Sequence, residues 1–181
     1  MRIIAGKYRG RRLAAVPKNV RPSSDRLRET LFNVLGDSVR GSVWLDPFAG
    51  SGAVGIEALS RGARHVILND KSSRALAVVQ RNLEICQVEG SYEIYQLDVF
   101  VLLKRPEVPP LDFVFLDPPY DFGRHEKLLK AVDNLAFLKA SSQIIVEAFK
   151  KTKLDFVPGS LTVSRVLRVG DSQLVFLCRR E

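Results

Sequence analysis

The chain has 181 residues, 46% of them hydrophobic, which suits one domain with a proper core, and no apolar run approaches the ~18 residues of a membrane span. Its net charge of +8 is unevenly placed, because residues 1–28 hold nine basic side chains against the single acid Asp25 and the rest of the chain is balanced. A neutral body with a basic N-terminal stretch is the footprint of a nucleic-acid partner. The apolar residues Ile3, Ile4, Tyr8, Leu13 and Val16 interleave with these charges, which a merely solubilising tail would not need. Cys86 and Cys178 stand far apart with no CxxC pair, as expected of free thiols in a reducing cytoplasm. The basic N-terminus has no apolar stretch behind it, so no signal peptide is expected, and His65 and His125 lack metal-ligand spacing.

Residues 2–15 read as two short strands, Arg2–Ala5 and Arg12–Ala15, around a turn at Gly6–Gly10 whose tip would carry Lys7, Arg9 and Arg11. Pro17 to Pro22 is a connector. Ser23 or Ser24 caps a helix to about Leu35, with Leu27, Leu31, Val34 and Leu35 on one face and Gly36 as its stop. From there strands and helices alternate: strands at Val43–Phe48, His65–Asp70, Tyr92–Leu97, Asp112–Asp117 and Gln143–Phe149, and helices at Gly52–Arg61, Ser72–Val88 and Arg124–Phe137, with a short helical piece at Val99–Leu103. Leu161–Val169 and Gln173–Cys178 alternate apolar and polar around Gly170-Asp171, a terminal hairpin. The pattern predicts an α/β fold with a mainly parallel sheet covered on both faces and a closing antiparallel hairpin. Residues 1–40 form a basic extension and 41–181 the main body of one compact domain.

Asp46-Pro47-Phe48-Ala49-Gly50-Ser51-Gly52 sits at a strand-to-helix turn. Gly50 and Gly52 let a ligand approach the backbone, and amides at the helix start would face it. Asp70 follows Gly50 by 20 residues, where an acid binds ribose hydroxyls in doubly wound folds, and Asp98 is read as ending the third strand, within reach of an adenine amine or a hydroxyl. Asp46, Asp70, Asp98 and Asp117 fall at or near successive strand ends and point to one shared cleft. Gly50 to Gly55 also matches GxGxxG, the signature of nicotinamide enzymes. Asp46 argues against that reading, since a carboxylate there would repel a pyrophosphate and welcome the ammonium or sulfonium of S-adenosylmethionine. Gly55 is read as a helix-packing residue.

After the fourth strand come Asp117, Pro118, Pro119 and Tyr120. Proline cannot continue a central sheet, so the chain leaves the strand rigidly and presents a carboxylate, a proline carbonyl and an aromatic ring. These suit a planar molecule carrying an NH2 group. On the residues alone the planar amine is guanine, adenine or cytosine. A DNA adenine-N6 or cytosine-N4 methyltransferase and a non-catalytic RNA-binding assembly factor are the alternatives.

Asp-x-Phe-Ala-Gly-Ser-Gly followed about 70 residues later by Asp-Pro-Pro-Tyr resembles the amino-directed S-adenosylmethionine methyltransferases. Further stretches are similar to the RsmD-type family, the 16S ribosomal RNA guanine-N2 methyltransferases: Arg2-Ile3-Ile4-Ala5-Gly6, Arg9-Gly10-Arg11, Arg21-Pro22-Ser23, Asp25 to Asn33, and Gly55-Ile56-Glu57-Ala58-Leu59-Ser60-Arg61-Gly62-Ala63. The likeness covers nearly the whole chain. It implies a seven-stranded class I methyltransferase fold, S-adenosylmethionine as cofactor, and a guanine of the small-subunit ribosomal RNA as target. In this reading Asp46, Phe48, Gly50, Ser51, Gly52, Asp70 and Asp98 hold the cofactor, and Asp117, Pro118, Pro119 and Tyr120 hold the reacting base. Lys7, Arg9, Arg11, Arg12, Arg21 and Arg26 hold the RNA. A cytoplasmic monomer working on the small ribosomal subunit is expected. Two positions depart from the family pattern: Asp70 stands where Glu is common, and Pro47 where Leu is usual.

Overall fold

Strands buried on both faces need apolar residues at every position, and the chain's middle supplies them: Val43–Asp46 is buried throughout, and so is Leu111–Leu116 except at Asp112. In the computed structural model, which describes residues 1–16, 24–89, 91–105, 108–119, 122–152 and 157–180, these are β1 and β4 of one sheet. In chain order the elements are α1 (Asp25–Leu35), β1, α2 (Ala53–Ser60), β2 (His65–Asn69), α3 (Ser73–Cys86), β3 (Tyr92–Tyr95), α4 (Val99–Leu102), β4, α5 (His125–Asp133), β5 (Leu138–Phe149), β6 (Leu161–Val169) and β7 (Ser172–Arg179). The strand order is β3-β2-β1-β4-β5-β7-β6, with β1 to β5 parallel and β7 antiparallel between β5 and β6. This is the mainly parallel sheet with an antiparallel terminal hairpin that the sequence predicts.

Side chains alternate across the sheet and divide the core in two. Trp44, Leu68, Phe113, Phe115 and Ile145 pack with α1, α2 and α3. Leu45, Ile67, Val114, Leu116 and Val146 pack with α4 and α5. Trp44 centres the first layer, 5.5 Å from Phe32 and 4.6 Å from Phe113 between ring centroids, and its buried indole N–H donates to Ser42 Oγ at 2.7 Å. Helix starts follow the expected chemistry: Ser24 Oγ accepts from the Leu27 amide and Ser72 Oγ from the Ala75 amide. Gly55 is a packing glycine, as read from the sequence, because a Cβ there would stand 2.6 Å from Leu68 and 2.8 Å from Val66.

Several boundaries move. The predicted helix Arg124–Phe137 ends at Asp133, because β5 starts at Leu138, ahead of the predicted Gln143, and the chain must turn into it. A register shift between Leu111 and Phe113 accommodates that early start, which a polar run at Lys139–Gln143 hides from a pattern search. Asp98 does not end the third strand. That strand stops at Tyr95, and Asp98 caps α4, accepting from the Phe100 amide at 2.9 Å. The predicted N-terminal strands reduce to one bridge between Arg2 and Arg12, because most of this segment's backbone partners lie elsewhere.

Those partners are on α2 and α3. Glu57, fully buried, accepts the amides of Ile4 and Ala5 at 2.8 and 3.0 Å. The Lys7 amide donates to the Ser60 carbonyl and the Tyr8 amide to Ser60 Oγ. Asn82 pairs with both backbone groups of Ala14. Ile3, Tyr8 and Leu13 are buried in the α1–α3 layer. Gly6 permits the approach: its φ is +81°, and a Cβ there would lie 1.8 Å from the Ser60 carbonyl oxygen. Arg28 is wholly buried too, donating to the Arg2 carbonyl and Asp25 at 2.7 Å, with Glu57 at 3.6 Å. Residues 1–16 are therefore a strap folded onto the body, and Arg28, one of the nine cations of residues 1–28, is a core residue.

Candidate active site

A cleft of about 920 Å³ opens at the carboxyl ends of the parallel strands. Asp46, Phe48, Gly50, Ser51, Asp70, Asp98, Asp117, Pro118 and Pro119 line it, so the structure brings together most of the residues expected from the sequence. Tyr120 and Arg21 lie outside the described residues. Gly52 does not line the cleft. It is the left-handed N-cap of α2 (φ +76°), with a Cβ position 3.3 Å from Val79, so it shapes the turn from behind.

Asp46, the last residue of β1, is 2% exposed, and among the described residues its Oδ1 has no hydrogen-bond partner. Burial pushes its pKa up to about 8, the Phe48 amide opposes this by hydrogen bonding, and the charge of Asp70 adds to the rise. A buried carboxylate oxygen without a donor, on the wall of an open cleft, is suited to a cationic group. The ammonium of S-adenosylmethionine fits it.

Asp70 stands just beyond β2. Its Oδ2 accepts the Gly50 amide at 2.9 Å and its Oδ1 the Ser72 amide at 2.8 Å. The Gly52 amide donates to the Ala49 carbonyl at 2.7 Å. The amides of both glycines are thus engaged within the protein, contrary to the expectation that amides here would face a ligand. The shorter Asp side chain, where Glu is common, ties the glycine turn to the start of α3. Asn69, which sequence reasoning missed, is the other tie. Its Nδ2 donates to the Pro47 and Leu97 carbonyls at 3.0 and 3.1 Å, and its Oδ1 accepts the Leu97 amide. One side chain so joins the ends of three strands, and the only sequence signal was an amide beside a strand-end acid.

Asp117 follows β4, half-buried, with Pro118 buried and Pro119 exposed. The Phe122 amide donates to the Pro119 carbonyl at 2.9 Å. Phe122 also lines the cleft, 5.4 Å from Phe48 and 6.3 Å from Phe100 between centroids, with the Arg124 guanidinium 4.9 Å above its ring. This aromatic and cationic wall was not read from the sequence. Of the basic residues expected to meet RNA, Lys7, Arg9, Arg12 and Arg26 are exposed. Arg11 folds back: it donates to the Ile85 carbonyl at 2.9 Å and covers the Tyr8 ring at 5.5 Å.

Comparison with known proteins agrees with this architecture. The family model described as Conserved hypothetical protein 95 matches residues 1–178. Ribosomal RNA small subunit methyltransferase D of Haemophilus influenzae is 38% identical over 157 residues, 85% of this chain and 81% of that protein. The protein of the same name from Escherichia coli K12 is 34% identical over 167 residues, 91% of this chain and 83% of its own length. The solved structure described as "Putative methyltransferase yhhF from Escherichia coli" superposes with a TM-score of 0.87 at 32% identity, covering 99% of this chain and 97% of the other. With the strand order, the strand-end acids and the Asp117 corner in place, the chain belongs to the Conserved hypothetical protein 95 family, the RsmD-type methyltransferases that its motifs resemble.

Proposed function

We propose that this protein methylates the exocyclic N2 amine of a guanine in small-subunit (16S) ribosomal RNA, using S-adenosylmethionine, with the assembled subunit as substrate. One observation carries the reading: the buried Asp46 carboxyl, whose Oδ1 has no partner among the described residues, and the Asp117-Pro118 corner open into the same cleft. The first suits a cation and the second suits an amine. The relatives named as ribosomal RNA small subunit methyltransferases support the choice of polymer.

When bound, S-adenosylmethionine supplies an activated methyl group. Asp46 would hold its ammonium, Asp70 and Asp98 its ribose and base, and Phe48, Gly50, Ser51 and Gly52 would shape the turn around it. A guanine amine is a poor nucleophile because its lone pair is delocalised into the ring. The carboxylate of Asp117 and the carbonyl of Pro118 each accept one N–H, which turns the lone pair out of conjugation and stabilises charge developing on nitrogen. Asp117 need not be a strong base, since the alkylated nitrogen is acidic and gives up its proton afterwards. Pro119 fixes the corner, and Tyr120 stacks on the unstacked base, a contact worth roughly 1–3 kcal/mol. Lys7, Arg9, Arg12, Arg21 and Arg26 would meet phosphates. Arg11 would act chiefly by holding the strap.

Labelled methyl transfer to small subunits, naked ribosomal RNA and DNA in parallel, followed by nucleoside analysis, tests the reading. N2-methylguanosine from subunits supports it, and N6-methyladenine in DNA overturns it. Asp117→Ala should keep its fold and its cofactor affinity and lose about 100- to 1,000-fold in turnover, in the range of lost transition-state donors or acceptors. Near-normal turnover in that variant removes Asp117 from the mechanism.

A further inference from the structure

The Asp117-Pro118 corner accepts two amine hydrogens, and guanine, adenine and cytosine all offer them. The atoms beside the amine differ. Next to the guanine amine is N1–H, a donor. Next to the adenine amine is N1, and next to the cytosine amine is N3, both lone-pair acceptors. A protein that accepts a hydrogen at that second position takes guanine and repels the other two.

We propose that Glu147 is this acceptor and the residue that selects guanine. The inference rests on the proposed guanine-N2 reaction. Glu147 lies on β5, where Leu116 pairs with Val146 in parallel register. One step further along both strands places Glu147 beside Asp117, a strand spacing of about 4.8 Å away. The two side chains leave the same face of the sheet, the face of Phe115 and Ile145 and of α1 to α3. Both line the main cleft, and both, with Pro118, line a small adjoining cavity of about 30 Å³. Ser172 Oγ, on β7, donates to Glu147 Oε1 at 3.3 Å and holds the carboxylate from behind. Asp46 stands two strands away on the same face, so it is placed for the cofactor and not for this edge.

An acid on β5, a strand paired on both sides within the sheet, needs a reason. Glu147 interrupts the apolar run Ile144-Ile145-Val146, where a strand buried on both faces favours another aliphatic residue. The N1–H and N2–H groups of one guanine edge are adjacent donors pointing the same way, and two neighbouring carboxyl groups can accept both at once.

The test uses substrate RNA with 2-aminopurine replacing the target guanine. This base keeps the N2 amine but has a lone pair in place of N1–H. Wild-type enzyme should methylate guanine at least 100-fold better in kcat/KM, since sites built around a donor strongly reject analogues lacking it. Glu147→Gln can donate to a bare N1, so it should lose guanine activity, gain 2-aminopurine activity, and narrow the ratio at least tenfold. Its affinity for S-adenosylhomocysteine should be unchanged. Wild-type methylation of both bases alike, or an equal loss on both in Glu147→Gln, overturns the assignment. Guanine methylation with an unaltered ratio removes Glu147 alone. Absence of any N2-methylguanosine from wild type removes the guanine reaction itself, and Glu147 with it.

Discussion

The protonation of Asp46 should govern cofactor affinity. Its pKa lies near 8 when the cleft holds no cation, so at neutral pH the carboxyl is mostly protonated. The ammonium of the cofactor needs the ionised form. The ionised fraction is about one hundredth at pH 6 and about one tenth at pH 7 for a group titrating near 8. The Kd for S-adenosylmethionine or S-adenosylhomocysteine should therefore fall by close to tenfold from pH 6 to pH 7. The gain should stop near pH 8, where the ligand's own amino group, with a reference value of ~7.7–8.0, begins to lose its charge. Binding at pH 7 should release close to one proton, read by titration calorimetry in two buffers of different ionisation enthalpy. Asp46→Asn should bind weakly with no pH slope below 7. The stability of the free protein carries the same signature with its sign fixed by linkage: a carboxyl raised from 3.8 to about 8 favours the fold most below pH 4, and that contribution is lost as pH rises towards 8. A flat Kd between pH 6 and 7, or a slope that survives in Asp46→Asn, refutes the assignment of Asp46 to the ammonium.

Two further outcomes test the strap. Glu57→Ala removes the acceptor for two amides and a partner of buried Arg28, and should cost about 3–5 kcal/mol, lowering the melting temperature by roughly 6–20 °C. A loss under 1 kcal/mol by denaturant titration would show that the strap contributes little. Gly10→Ala meets open space and only the strain of φ +82°, about 1–2 kcal/mol, whereas Gly6→Ala must also push against the Ser60 carbonyl, and its cost should be at least double. Equal losses in the two variants would mean that the strap does not approach α2 as closely as 1.8 Å implies.

The sheet and its order of elements were legible because strands buried on both faces leave unbroken apolar runs and because glycine and serine mark helix ends. The strand-end acids were legible for a related reason, since Asp46, Asp70 and Asp117 interrupt those runs at their carboxyl ends. What stayed hidden depends on distant partners. Glu57 looks like a misplaced charge in an apolar helix until the amides of Ile4 and Ala5, more than 50 residues away, are seen to meet it. Arg28 counts as surface charge in the sequence and is a core residue in the fold. The N-terminal hairpin was read from local alternation, but its hydrogen bonds go mostly to α2 and α3, which no local pattern encodes.

The strand order also explains why a methyl donor and a base acceptor meet where they do. In the order β3-β2-β1-β4-β5 the chain runs outward from β1 in one direction and from β4 in the other, so the connections diverge between β1 and β4 and leave a crevice there. Residues on β1 and β2 face one side of that crevice: Asp46, the glycine turn and Asp70. Residues on β4 and β5 face the other: Asp117, Pro118 and Glu147. In the proposed reading the cofactor occupies the first half and the base the second, and the transferred carbon crosses the β1–β4 boundary. The division places the two half-sites on separate sequence segments. Substitutions at Glu147 should therefore alter base choice without altering cofactor affinity, and substitutions at Asp46 should do the reverse. Cofactor affinity that moves with Glu147 would mean that the two halves are not separate, and the crevice would then have to be read as one binding site for a single ligand.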